Sequence, residues 1–165
     1  MTRRYSASYC GRIGSLTVTA ADCLGVADFQ SKWHSYLNAL KKIFPTGTWT
    51  RERQPRSGNW RAHGAVNVGS DIKPDFPRHQ VRRRFYANVD PRLRELWRRS
   101  PEKAASHGFG RVELLPLKYG GAACARCFKK YLAKSFGCEK RSGDEKCRLF
   151  GVWGVFVSHI HVSHS

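Results

Sequence analysis

Acidic residues are scarce in this sequence: 12 Asp and Glu stand against 30 Lys and Arg in 165 residues, a formal net charge of +18. An excess above a tenth of all residues is more than solubility requires. It directs the chain toward a polyanion, of which nucleic acid is the commonest. Long apolar runs are missing as well. No stretch approaches the roughly 20 residues of a membrane-spanning helix. The basic start Met1-Thr2-Arg3-Arg4-Tyr5 is not followed by the apolar segment of a secretory signal. Secretion and membrane insertion are therefore disfavoured, and a cytoplasmic protein with no membrane partner is expected. Internal repeats and a Walker-type phosphate loop are also absent from this sequence. What is present is a core: 41% hydrophobic and 12% aromatic residues are too many for a disordered basic tail.

The six cysteines are Cys10, Cys23, Cys124, Cys127, Cys138 and Cys147. Without a signal peptide the compartment is expected to be reducing, so disulfides are not the default. The last four read C-x2-C-x10-C-x8-C. Two readings stand: a structural zinc site, which would suit a small RNA-binding protein, or semi-buried thiols. Zinc knuckles sit in turns, whereas Cys124 and Cys127 fall in a segment that reads as helix.

Residues 1–14 read as a basic flexible arm, 15–157 as one folded domain and 158–165 as a His-rich tail. Ser15–Thr19 alternates and is rich in β-formers, so it predicts a strand. Asp28 is expected to cap a helix whose apolar stripe is Phe29, Trp33, Tyr36, Leu37, Leu40 and Ile43, ended by Pro45 and Gly47. Two strands, Thr48–Gln54 and Asn59–Val68, flank the turn Pro55-Arg56-Ser57-Gly58. If Gln54 pairs with Asn59, then Glu52 faces Arg61 and Thr50 faces His63, all on one side of the sheet. Residues 70–89 read as a charged loop or short helix. Asp90-Pro91 opens another helix that buries Leu93, Leu96 and Trp97, and Ser106–Gly110 breaks it. A strand at Arg111–Leu117, a helix from about Ala122 to Phe136 and a last strand at Arg148–Val157 complete the order β-α-β-β-α-β-α-β. This predicts an α+β fold, a mostly antiparallel central sheet flanked by helices.

Three segments, in this order, resemble the motifs of a known family. Ser15-Leu16-Thr17-Val18-Thr19 resembles a Thr-rich first motif. Arg51-Glu52-Arg53-Gln54, a turn, then Arg61-Ala62-His63-Gly64-Ala65-Val66 resembles a second, in which Glu-Arg-Gln is followed by His-x-His. Cys127-Phe128-Lys129-Lys130-Tyr131-Leu132-Ala133-Lys134, preceded by Gly108–Pro116, resembles a third, Tyr-x-x-Lys-Tyr-x-x-Lys on a helix. The family is that of the HUH-endonuclease rolling-circle replication initiators of plasmids and single-stranded DNA phages. The resemblance spans roughly residues 15–150 and is most specific at the third motif. It implies a ferredoxin- or RRM-like sheet and nicking and rejoining of single-stranded DNA at a replication origin. Tyr131 would be the nucleophile, Lys134 and Lys130 would sit on the phosphate, and His63 and Glu52 would hold Mg²⁺ or Mn²⁺. A bacterial host would supply helicase and polymerase.

The sequence departs from those motifs. Arg61 stands at the first histidine position, and an arginine cannot ligate a metal. It either fills the cation's place beside Glu52 with a fixed charge or makes a plain cross-strand ion pair with it. The site is then metal-weakened or metal-free, and a descendant that only binds DNA is the alternative reading. Cys127 takes the place of a second tyrosine, and Tyr131 considered alone also suits a core aromatic on an amphipathic helix. The literal His159-Ile160-His161 lies after the tyrosine helix, outside the order the resemblance requires. Arg51, Arg53 and Arg56 around the hairpin and Arg82, Arg83 and Arg84 beyond it are the expected strand contacts together with Arg61. Trp49, Trp60, Phe85 and Tyr86 are expected to stack on bases, while Arg98 and Arg99 solvate a helix face.

Affinity for a single-stranded 20-mer is expected to fall about 10³-fold or more between 50 and 200 mM salt, because each neutralised phosphate releases a counterion. Fluorescence anisotropy across that range checks it; a shallow slope counts against a polyanion partner.

Overall fold

Alternation does build the sheet in the computed structural model, which describes residues 12–54, 56–72, 76–83, 85–117, 129, 133 and 148–154. Strand β1, Ile13–Ala20, buries Leu16, Val18 and Ala20 and turns Ser15, Thr17 and Thr19 the other way. Strands β2 (Gly47–Arg53), β3 (Trp60–Asn67), β4 (Phe109–Pro116) and β5 (Phe150–Trp153) complete one antiparallel sheet in the order β4-β1-β3-β2-β5. The expected α+β architecture is observed. Residues 1–11, the His-rich tail and most of the expected helix at 122–136 lie outside the described residues, although Lys129 and Ala133 are helical.

Helix α1, Val26–Ile43, packs Phe29, Trp33, Tyr36 and Leu40 into the core. Their spacing of three and four residues makes a single stripe. It starts two residues before Asp28, so Asp28 is not its cap: Gly25 holds that position in extended backbone, with no side-chain cap. The Phe29 amide already donates to the Gly25 carbonyl at 3.0 Å, which carries the helix upstream. Asp28 instead lies in the first turn, where its charge meets the helix dipole. Against α1 the sheet presents Trp49, Trp60 and Phe109: Phe29 stacks on Trp60 at 5.0 Å, and Trp33 meets Trp49 edge-on at 5.4 Å. Such pairs add about 0.5–1.5 kcal/mol each beyond the area they bury.

A short helix α2 (Arg78–Arg82) and the longer α3 (Pro91–Ala105) follow. The α3 cap is as expected, with Asp90 Oδ1 accepting from the amides of Arg92 at 2.9 Å and Leu93 at 3.1 Å and Pro91 at the first helical position. Its buried residues are Leu93, Leu96, Ser100 and Ala104, and the Trp97 indole donates to the Leu114 carbonyl on β4 at 2.6 Å. Of the expected last strand Arg148–Val157, Phe150–Trp153 is strand, Arg148 and Leu149 precede it, and Gly154 takes a φ of 75°; residues 155–157 lie outside the described residues.

Strands β2 and β5 interlock through glycine. Gly47 faces Trp153 and Trp49 faces Gly151, so each indole lies over the bare backbone of its partner strand. A Cβ on Gly151 would come within 2.7 Å of the Trp49 ring, and one on Gly47 would strike the Trp153 ring. Gly151→Ala is expected to cost about 1–3 kcal/mol through overpacking, read as a lower urea midpoint. An unchanged midpoint would contradict this packing.

Candidate active site and nucleic-acid interface

The hairpin between β2 and β3 closes with Gln54 N donating to Asn59 O and Gly58 N to Gln54 O, both at 2.9 Å, and Gly58 takes a φ of 71° that favours glycine. The resulting register pairs Glu52 with Arg61 and Thr50 with His63, as the sequence predicts. On the other side of β3, Thr17 faces His63 and Thr19 faces Arg61. Thr17, Thr19, Thr50, Glu52, Arg61 and His63 therefore share the sheet face opposite α1.

On that face His63 Nε2 lies 3.1 Å from Glu52 Oε1, with the two side chains 12% and 15% exposed. An ionised carboxylate only accepts, so Nε2 carries the proton. On the neutral ring Nδ1 is then an acceptor, and the Thr17 hydroxyl stands 3.4 Å from it. Hydroxyl, imidazole and carboxylate thus run across three strands. Thr17 belongs to the Thr-rich strand singled out above, but only the β1–β3 register brings it onto His63.

One expectation for this face changes. The Glu52–Arg61 ion pair is replaced by Glu52–His63, a diagonal neighbour within reach of a long side chain. Arg61 turns one step toward the hairpin end. With the Gln54 amide oriented oxygen-inward, Gln54 accepts from Arg61 Nε at 2.9 Å and from Nη2, while its nitrogen donates to Ser57 Oγ at 2.8 Å. A guanidinium satisfied by a neutral amide leaves the carboxylate for the imidazole.

A separation of 3.1 Å also suits two adjacent ligands of a small divalent ion, which at bonds of about 2.1 Å in octahedral geometry lie about 3.0 Å apart. With the proton moved from Nε2 to Nδ1, which faces the Thr17 hydroxyl, His63 and Glu52 fit two corners of an Mg²⁺ or Mn²⁺ site. Among the described residues no cluster of three or more His, Cys, Asp or Glu is placed to hold a metal.

Strand alternation also divides the arginines. Arg51 is 2% exposed and lies on the α1 side, so it is not a surface contact for DNA. Its guanidinium sits over the Phe29 ring at 5.3 Å and the Trp49 ring at 5.1 Å, and Nε donates to the Arg148 carbonyl. Arg53, on the same side and half-buried, lies 4.3 Å over the Trp60 ring and donates to the Gly58 carbonyl at 2.9 Å. Trp49 and Trp60 are core residues, which corrects their expected stacking on bases. Arg56 and Arg83 are exposed, Arg61 is half-buried and Arg82 is a residue of α2. Arg98 pairs with Glu95 at 2.8 Å in the open, the solvating role expected of it. Phe85 and Tyr86 are the exposed aromatics of the basic segment.

Tyr131, Lys130, Lys134, Arg84, His159 and His161 lie outside the described residues. So do the cysteines other than Cys23, an exposed free thiol. Tyr36 is no nucleophile: burial pushes its phenol above the ordinary tyrosine range, and its ring packs on Phe109 at 5.1 Å. No helix among the described residues is long and apolar enough to cross a membrane.

The chain is 30% identical over 137 residues to the Phasyl DNA replicon protein arp of Escherichia coli, a match covering 81% of this chain and 47% of that protein. The chain thus spans about half the length of the curated relative it matches. No protein-family model matches the chain, and no solved structure matches it.

Arg51→Ala is expected to lower folding stability by about 2–4 kcal/mol as a large-to-small change in the core. Arg56→Ala in the exposed turn is expected to leave stability unchanged and to weaken oligonucleotide binding. Urea denaturation and anisotropy on the two variants check this; a stable Arg51→Ala protein with selective loss of DNA binding would contradict it.

Proposed function

We propose that the chain is a replication initiator of the HUH-endonuclease kind, which nicks and rejoins single-stranded DNA at a replication origin through Tyr131. The observation that carries this reading is the Glu52–His63 pair, 3.1 Å apart on the polar face of an antiparallel sheet, in the register of the hairpin motif. The similarity to a protein named for a DNA replicon supports it, as does the net charge of +18.

In this reading the Tyr131 phenolate oxygen attacks the scissile phosphorus in line, and the bond from phosphorus to the 3′ oxygen breaks. The phenolic proton passes to solvent, and the departing 3′ oxygen takes one up. The products are a 5′-phosphotyrosyl protein and a 3′-hydroxyl that primes synthesis; attack by a 3′-hydroxyl on the phosphotyrosine reverses the step and rejoins the strand. His63 and Glu52 would hold Mg²⁺ or Mn²⁺, which when bound neutralises charge at the scissile phosphate. Thr17 holds the imidazole on its far side, while Lys134 and Lys130 supply cations for the phosphate. Strand separation and synthesis fall to a host helicase and polymerase.

A second reading rests on Arg61. It stands directly opposite Glu52, at the position where the resembling motif has a histidine, and contributes no ligand. A protein that binds DNA without cutting it would carry this substitution.

Incubation with labelled single-stranded origin DNA and Mn²⁺ is expected to give a covalent adduct stable to denaturing electrophoresis and abolished by Tyr131→Phe. Arg61→His is expected to raise adduct formation at least about tenfold by adding a ligand. Intact DNA binding with no adduct, in wild type and Arg61→His alike, would leave the binding reading.

A further inference from the structure

We propose that the cleft between α3 and β4 is a pocket for one nucleobase of the bound single strand. This rests on the nucleic-acid reading above, but concerns a different part of the molecule from the Glu52–His63 face. The cleft holds about 560 Å³, and its walls include Val81, Tyr86, Trp97, Ser100, Val112 and Leu114. That volume lies in the range of small-ligand sites and admits a nucleoside.

Three features point to a base. The first is an aromatic wall with a fixed and an accessible half. Trp97 is held by its indole bond to the Leu114 carbonyl, and the Tyr86 ring stands edge-on to it at 5.4 Å while remaining 44% exposed. An aromatic ring nearly half exposed and lining a largely apolar cleft suits stacking, which every base supplies. The second is a buried polar group with nothing to bond. Ser100 lines the cleft at 2% exposure, and its hydroxyl has no hydrogen-bond partner among the described residues. An unsatisfied buried hydroxyl costs about 1–3 kcal/mol, and the edge of a base offers it a donor or an acceptor. Pro101 adds to this: it has no N–H for the Trp97 carbonyl four residues back, so the same turn of α3 carries a main-chain acceptor without its helical partner.

The third feature is charge. Between residues 76 and 99 eight arginines stand against two carboxylates. Arg94 and Arg98 line the cleft together with Glu113, Arg98 also pairing with Glu95, and exposed Arg83 follows α2. Arginines around an aromatic-walled cleft hold the phosphates on either side of an inserted base, which a plain apolar ligand would not need.

The test uses the full chain and two 20-mers of equal charge, oligo-dT and an abasic strand of sugar-phosphate alone, with an oligo-rU 20-mer as the RNA comparison, read by fluorescence anisotropy in low salt. Wild type is expected to bind oligo-dT about 5- to 100-fold more tightly than the abasic strand, the range for loss of stacking. Tyr86→Ala, with folding checked by circular dichroism, is expected to reduce that ratio at least about fivefold with little change for the abasic strand. Tyr86→Phe is expected to keep it, whereas Arg83→Ala is expected to weaken both strands alike. Equal binding of the two strands by wild type, or an equal loss on both from Tyr86→Ala, would overturn the base pocket and leave the DNA reading standing. Binding to neither strand would overturn both. Tighter binding of oligo-rU than of oligo-dT would keep the pocket and overturn the choice of DNA.

Discussion

Everything on the polar face of the sheet depends on the fixed register between β2 and β3. The turn from Gln54 to Asn59 sets it, with Gly58 in the conformation that closes the loop. Side chains on a strand alternate, so a slip of one residue on one strand would exchange its two faces. Arg51, with its stack on Phe29 and Trp49, would then emerge where Glu52 stands. The apolar side resists that exchange, because Trp49 and Trp60 are locked against α1. Packing on one face therefore fixes chemistry on the other: the carboxylate meets the imidazole because the indoles have nowhere else to go.

Much of this was legible in the sequence. The strand pair, its register, the Asp90 cap and the α1 stripe each follow from local rules of period and turn chemistry. Two features were not, and both involve long side chains. Directly opposite residues are expected to pair, yet Arg61 reaches past Glu52 to Gln54, and Glu52 reaches diagonally to His63. Register fixes which residues share a face; it does not fix which of several flexible neighbours bond. The burial of Arg51 could have been read from alternation, since it shares parity with Trp49. Its charge argued for the surface, and of the two rings that accommodate its guanidinium only Trp49 is near in sequence; Phe29 comes from α1. The α3–β4 cleft has no sequence signature because it is assembled from a basic segment, a helix and an edge strand.

The cationic excess consequently has several destinations. Part is internal, in Arg51 and Arg53 stacked on rings, and part solvates α3 through Glu95. The remainder, in the exposed hairpin turn and around α2, is what a phosphate backbone can meet. A strand running between these two regions would have the Glu52–His63 pair and the aromatic cleft as its two places of specific contact. Side-chain direction thus separates arginines that pack inside the fold from those left at its surface.

The proposed function requires Glu52 and His63 to form the divalent-ion corner of a phosphate site. Paramagnetic broadening of the ¹⁵N-labelled protein by substoichiometric Mn²⁺ tests it most directly. The backbone amides of Thr17, Glu52 and His63 are expected to broaden first, and His63→Gln is expected to remove the effect while leaving the rest of the spectrum in place. Broadening centred elsewhere, or unchanged in His63→Gln, would contradict it.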